Sequence, residues 1–285
     1  MERAGRLDRL VGDHLKWSRS RVRLAVDSGR VVVDGSVAKK GGAALKPGHT
    51  LRVETADWLV PEPDAPLSVL AEDPAGGWVV LDKPAGQAVH PLKPEERGTL
   101  LQAAAGRFPE LLAPEGVGRE GPLRSGVVHR IDGPTSGCVV LARTPDAWDR
   151  LRAAFTEHRV RKVYLARVAG RPAAGSLGAP MAVVKHRPAR AGVVEDGGHA
   201  TAMSWEPLSV DPAGRTTLLR VELSTGFFHQ IRAGMAHLGH PVVGDWLYGG
   251  PEAPRLLLHA WRVGLPGEGA AEVEAPPPEG LRFAG

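Results

Sequence analysis

Gly126 to Leu141, GVVHRIDGPTSGCVVL, holds the side chains of this chain best suited to chemistry. An apolar run enters the polar cluster HRIDGPTSG and another leaves it. Runs rich in β-branched residues and bounded by Gly and Pro predict two buried strands joined by a tight turn, a rigid place for a functional group. The cluster contains one carboxylate, Asp132, beside one guanidinium, Arg130, with no second acid in the stretch. Glycosidases need two carboxylates flanking one bond, so that chemistry does not fit. A single Asp among cations suits a nucleophile held in its ionised form. Equally, Asp132 and Thr135 could do no more than satisfy backbone groups of the turn.

Other chemistries find weaker support. His237 and His240 have i, i+3 spacing, but no third ligand of zinc-like spacing accompanies them, so no metal site is expected. GVGREG, residues 116–121, is formally a GxGxxG, yet no strand precedes it and Pro122 follows. GxxxxGK[ST] does not occur, and Ser136 lacks the GxSxG of a nucleophile elbow. No cofactor is therefore expected.

The 285 residues suffice for one large domain with a small appendage, and 42% hydrophobic with 24% charged residues is ordinary for a globular protein. No apolar run reaches the ~18 residues of a membrane span, and MERAGRLDRL has no signal-peptide core. One cysteine excludes an internal disulfide, so a reducing cytoplasm is the expected location, and Cys138 reads as a small core residue. Residues 1–54 carry 12 Lys/Arg against 6 Asp/Glu, whereas the whole chain nets only +4. Contact with a polyanion is expected in that N-terminal segment.

The elements that must position these groups follow from periodicity. Leu7, Leu10, Val11 and Leu15 have helical spacing; Ser18 caps a second helix that Gly29 ends and that presents Arg19 and Arg23 one turn apart. Asp34-Gly35 between Val31–Val33 and Ser36-Val37 predicts a hairpin, and Leu51–Val53 a further strand. ADWLVPEPDAP, residues 56–66, predicts a semi-rigid linker. Beyond it, Trp78–Leu81 predicts a strand, Gly98-Thr99 a capped helix, and 107–125 loops. Thr144-Pro145 starts a helix burying Trp148, Leu151 and Phe155. Alternation over 161–168 puts Lys162, Tyr164, Ala166 and Val168 on one side of a strand. A helix from about Phe228 to Leu238 would bury Ile231, Met235 and Leu238, with Arg232 beside that stripe. Residues 171–200 give little.

HRIDGPTSG resembles the H-R-L-D-x-x-T-S-G signature of the RluA-type pseudouridine synthases. VLDKPAG with VHP, the K-x-Y-x-A of Lys162 to Ala166, TGFFHQIRAGMAHLGHPVVGD and LLLHAWRV resemble further blocks of that family, in family order. SRSRVRLAVDSGRVVVDGSVAKK resembles the alpha-L RNA-binding module shared with a ribosomal small-subunit protein. The resemblance implies an α+β fold: a mixed, largely antiparallel sheet with flanking helices and a central cleft (67–285), joined through 56–66 to a small α+β RNA-binding module (1–55). It implies an RNA isomerase working on structured ribosomal or transfer RNA by base flipping, without metal or cofactor, as a monomer. Asp132 would start the reaction at the ribose, as nucleophile or as base. Arg232 would pair with Asp132, and Tyr164 would stack on the uracil and help remove the carbon-5 proton. Arg130, His129, Thr135, Lys162, His229 and Gln230 would contact RNA near the site, and Arg19, Arg23 and Arg30 would do so in the module. Phe227 stands where the family has Arg after Thr-Gly, and Gly133 where a basic residue is common. The competing expectation is a non-catalytic RNA-binding or ribosome-assembly protein of the same fold.

Overall fold

The computed structural model describes residues 4–15, 17–54, 59–113, 116–267 and 271–282. Part of the expected linker lies outside the described residues. The chain forms two compact units, Met1–Pro63 with His90–Ser125, and Asp64–Val89 with Gly126–Gly285.

In the first unit, β1 (Gly5–Arg6) leads into α1 (Leu7–Leu15) and α2 (Arg19–Asp27). Ser18 caps α2 by accepting from the Arg21 N–H at 3.3 Å, and Gly29 leaves the helix at φ 73°. β2 (Val31–Val33), β3 (Ser36–Val37), β4 (Ala44–Leu45) and β5 (Leu51–Val53) follow. Asp34 and Gly35 both have positive φ, as a two-residue hairpin between β2 and β3 requires. α3 (Leu100–Arg107) carries a full capping box between Thr99 and Gln102.

The expected division at 55 and 67 left residues 90–125 with the sheet, and the structure differs. Leu123 is buried in one core with Leu7, Val11, Val22 and Val31. Glu62 is tied to the α3 segment, its N–H donating to the Gln102 carbonyl at 2.9 Å and its carboxylate accepting from the Gly98 N–H. The helices of 1–54 bury an apolar face that only a residue far along the chain completes, which local periodicity cannot reveal.

The second unit is a mixed sheet in which, among the described residues, ten strands take part. They are β6 (Ser68–Glu72), β7 (Trp78–Lys83), β8 (Ser136–Ala142), β9 (Arg161–Ala169), β10 (Gly175–His186), β11 (Ala189–Val193), β12 (His199–Val210), β13 (Thr216–Leu223), β14 (Leu258–Leu265) and β15 (Ala271–Glu274). Their order is β11-β10-β12-β13-β9-β14-β8-β7-β6, with β15 on β14. Only the β8–β14 pairing is parallel among the described residues. α4 (Pro145–Thr156), capped by Thr144, and α5 (Gln230–His237) accompany the sheet. The uninformative stretch 171–200 supplies β10, β11 and the start of β12, whose small residues suit close pairing.

Only half of the strand pair expected around Asp132 forms. β8 is buried throughout, but Val127 makes a single bridge to Leu141. The Val140 N–H, which a second strand would use, donates instead to His129 Nε2 at 2.9 Å. Satisfied by a side chain, that edge of β8 closes without a regular ladder. α5 also starts later than expected, because His229 sits in the left-handed region at φ 55°. Leu238, expected in the core, is 37% exposed beyond the helix end.

Candidate active site

Asp132 opens a tight turn, its carbonyl accepting from the Thr135 N–H at 3.0 Å. That turn is clamped from below by Lys83, the last residue of β7. Its fully buried ammonium donates to the carbonyls of Pro84 at 2.9 Å, Gln87 at 2.8 Å and Gly133 at 2.9 Å. The Gly86 N–H reaches the same Gly133 oxygen at 2.8 Å. Burial pushes the Lys83 pKa down to about 8, against the pull of the Asp132 and Asp82 charges. After the turn the chain enters β8 through Gly137, at φ 109°. A Cβ there would lie 2.2 Å from the Ala260 carbonyl oxygen, so the parallel contact with β14 demands glycine.

The facing side comes from α5. Arg232 Nη1 donates to Asp132 Oδ2 at 3.1 Å, the pairing that the family resemblance implied. Its other edge is taken by a second acid that proximity in sequence did not suggest. Asp245, 1% exposed, accepts from Nε at 2.7 Å through Oδ2 and from Nη2 at 2.9 Å through Oδ1. One guanidinium thus separates two carboxylates. Burial works against its charge, yet Asp245 and then Asp132 raise the Arg232 pKa above its ordinary value. The Asp132 side chain keeps 21% exposure and so can be reached from solvent, whereas Asp245 cannot.

His229 stands between these groups, its Nε2 2.8 Å from Arg232 Nη1 and 3.6 Å from Asp132 Oδ2, its Nδ1 3.0 Å from the Tyr248 hydroxyl. Tyr164 lies in mid-β9, half-buried against a core that includes Ile231 and Met235. Burial, then the Asp132 charge, pushes its phenol pKa up, so the hydroxyl stays protonated. Lys162, two residues earlier, donates to the Thr225 carbonyl at 2.9 Å, and burial lowers its pKa. Arg130 is exposed, and its charge reaches His229.

Two expected RNA contacts are otherwise engaged and a third is buried. Beyond its bond to Val140, the His129 ring stacks on Phe155 with centroids 4.3 Å apart. Burial, then Lys162 and Arg152, pushes its pKa down to about 3. Thr135 is 2% exposed. The Gln230 amide accepts from Thr225 Oγ1 and the Phe227 N–H and donates to the Ala202 carbonyl, so it shapes the loop before α5. Phe227 packs near Ala191, Ala233 and Tyr248. Residues not singled out from sequence are Lys83, Asp245 and Tyr248. A Lys two residues beyond a continuous apolar run, and the Asp of GHPVVGD, were the available signals.

In the first unit Arg19 and Arg23 are exposed on α2 and Arg30 is half-buried after Gly29. Arg19 lines a pocket with Arg6, Arg9, Asp8, Asp13 and Trp17, and Arg21 stacks on Trp17 at 4.1 Å.

A guanidinium-held, partly accessible carboxylate on a strand-entry turn, close enough to a tyrosine for its charge to be felt there, defines a class of site without metal-ligand clusters among the described residues. The family model for RNA pseudouridylate synthases matches residues 77–237. An uncharacterized RNA pseudouridine synthase of Chloroflexus aurantiacus is 37% identical over 92% of this chain and 82% of its own length. The ribosomal large subunit pseudouridine synthases D of Xanthomonas campestris (38% identical, 82% of this chain, 68% of that one) and Pseudomonas aeruginosa (33%, 90%, 79%) are also similar. Among solved structures, human RNA pseudouridylate synthase domain containing 1 shares the fold, with TM-score 0.60 and 23% identity over 76% of this chain and 86% of that one. The chain belongs to the RNA pseudouridylate synthase family and is an RNA pseudouridine synthase, an isomerase of uridine in RNA.

Proposed function

We propose that this enzyme converts uridines of large-subunit ribosomal RNA to pseudouridine, with Asp132 starting the reaction. The observation that carries this reading is the Arg232 guanidinium set between partly accessible Asp132 and buried Asp245, at 3.1 and 2.7 Å. An acid that must act while water is partly excluded needs a cation that cannot lose its proton, and Arg is that cation. Similarity to ribosomal large subunit pseudouridine synthases D supports the ribosomal target over transfer RNA.

A paired uracil cannot rotate within a helix, so the target nucleotide is flipped out at a cost of about a few kcal/mol. Asp132 then acts at the ribose, as nucleophile or as base, so that the glycosidic bond breaks, the uracil turns, and carbon-5 joins carbon-1′. Tyr164 stacks on the free base. Because burial disfavours its phenolate, its oxygen accepts the carbon-5 proton only while passing its own hydroxyl proton to water. Arg130 and Lys162 contact the opened RNA. Arg19, Arg23 and Arg30 of the N-terminal module, with its net +6 over residues 1–54, add salt-dependent and sequence-poor affinity. The enzyme works as a cytoplasmic monomer and needs no cofactor.

Asp132→Asn tests the reading. The variant folds, binds ribosomal RNA, and releases no tritium from RNA labelled at uracil carbon-5; substantial release would overturn the role of Asp132. Mapping pseudouridines in total RNA with and without the gene distinguishes ribosomal from transfer RNA.

A further inference from the structure

We propose that His229 is a positioning residue of this active site: its neutral imidazole, oriented by Tyr248, holds the Arg232 guanidinium on Asp132. The inference rests on the reading of Asp132 given above. Hydrogen-bond accounting fixes the protons. A guanidinium only donates, so His229 Nε2, 2.8 Å from Arg232 Nη1, must be the unprotonated nitrogen. The proton of the neutral ring is then on Nδ1 and points to the Tyr248 hydroxyl at 3.0 Å. That hydroxyl also accepts from the Ala191 N–H at 2.8 Å, which fills both lone pairs, and donates to the Ala191 carbonyl at 3.2 Å. Every donor and acceptor along the path from β11 to Nη1 is used once, so the ring has one tautomer and one orientation.

Nη1 has two hydrogens, one for His229 and one for Asp132. Asp245 grips Nε and Nη2 and fixes the guanidinium plane. That rigid plane sets both Nη1 hydrogens, and by accepting one of them His229 holds the whole guanidinium in the position from which the other reaches Asp132. A second observation agrees: His229 adopts φ 55°, a conformation unfavourable for a residue with Cβ, at the start of α5. The imidazole reaches both Nη1 and Tyr248 from that backbone position.

Protonating His229 would turn its acceptor into a donor facing another donor. The ring would then favour Asp132 Oδ2, 3.6 Å away, over Arg232. The groups facing it are Asp132 before β8, Arg232 on α5, Asp245 and Tyr248 after α5, and Arg130; Arg190 of β11 covers the Tyr248 ring at 5.0 Å. Burial, then Arg232 and Arg130, outweigh Asp132 and Asp245 and lower the His229 pKa, which keeps the ring neutral at neutral pH. Activity therefore falls on the acid side as this histidine takes up a proton.

The test uses the full-length enzyme and tritium release from in vitro transcribed ribosomal RNA labelled at uracil carbon-5. His229→Leu, without an acceptor, should lower kcat about 10- to 100-fold, the worth of one charge-assisted hydrogen bond, and leave KM unchanged. His229→Gln can accept from Nη1 but cannot titrate, so it should recover most of kcat and lose the acid limb of the wild-type profile. Tyr248→Phe, which frees the tautomer, should lie between the two. Wild-type kcat in His229→Leu, a change confined to KM, or an acid limb retained in His229→Gln would each overturn the inference. Should the Leu variant fail to fold in a thermal melt, the Gln profile alone decides. Asp132→Asn run alongside separates the two readings. Turnover by that variant removes the premise, whereas an inert Asp132→Asn beside an unaffected His229→Leu defeats only the positioning role.

Discussion

The two halves of the candidate active site are held by different chemistry. On the Asp132 side one buried cation, Lys83, gathers three backbone carbonyls, and a glycine lets β8 and β14 touch. On the Arg232 side the anchors are side chains, Asp245, His229 and Tyr248. Backbone anchoring holds the turn through main-chain groups that every residue carries. Side-chain anchoring ties every member to its partners and makes the geometry titratable. The halves also respond to opposite ends of the pH scale, Lys83 losing its proton above about 8 and His229 gaining one in acid.

The largest expected effect breaks the side-chain half. Arg232→Met should lose turnover by about a thousandfold or more, since it removes the cation that hydrogen-bonds Asp132. It should also destabilise the fold by about 3–5 kcal/mol, because Asp245 would be left buried without a counter-charge. Adding Asp245→Asn should recover much of that stability and none of the activity, as read from urea denaturation and tritium release. A normally stable single variant would show that Asp245 is solvated.

Lys83→Met strikes the backbone half. Carbonyls of Pro84, Gln87 and Gly133 lose their donor while a costly buried charge is also removed, so a net loss of about 2–3 kcal/mol is expected. Urea midpoints measure the loss; an unchanged midpoint would mean that Lys83 does not organise the turn.

A smaller effect is acid sensitivity at His129, behind the Asp132 turn. Its pKa falls from 6.5 unfolded to about 3 folded, so the unfolded chain binds the proton more readily between those values. The stability present above pH ~6.5 is therefore lost as pH drops toward ~3. His129→Gln, which can still accept from the Val140 N–H, should flatten the dependence of melting temperature on pH across that window. An identical slope would assign the acid sensitivity to other groups, such as His259.

The smallest effect should spare both halves. Arg19→Ser with Arg23→Ser should weaken RNA binding with kcat unaltered. The salt slope should fall by about one unit for each phosphate that is no longer neutralised. An unchanged slope in a binding titration would place the polyanion surface elsewhere. Deleting 1–54 is the poorer test, because Leu123 would lose the core it shares with Val11 and Val22.

Local chemistry was legible wherever one short segment carries its own reason. The caps of Ser18, Thr99 and Thr144, the Asp34-Gly35 hairpin and the alternation around Tyr164 all depend on neighbours a few residues away. Asp132 stood out as the acid of a tight turn, and the family resemblance singled out Arg232 as its partner. Their 100-residue separation says nothing about the 3.1 Å between them; the sheet order, with β14 inserted beside β8, creates that. Only the tertiary structure decided that His129, Thr135 and Gln230 serve the protein itself, because a polar side chain faces inward or outward according to which distant backbone groups lack a partner. It likewise decided that Asp245 is the fuller partner of Arg232, buried and holding two of its nitrogens where Asp132 holds one. Residues 90–125 complete the core of residues 1–54 for a related reason: burial is a property of surfaces brought together and not of any one segment.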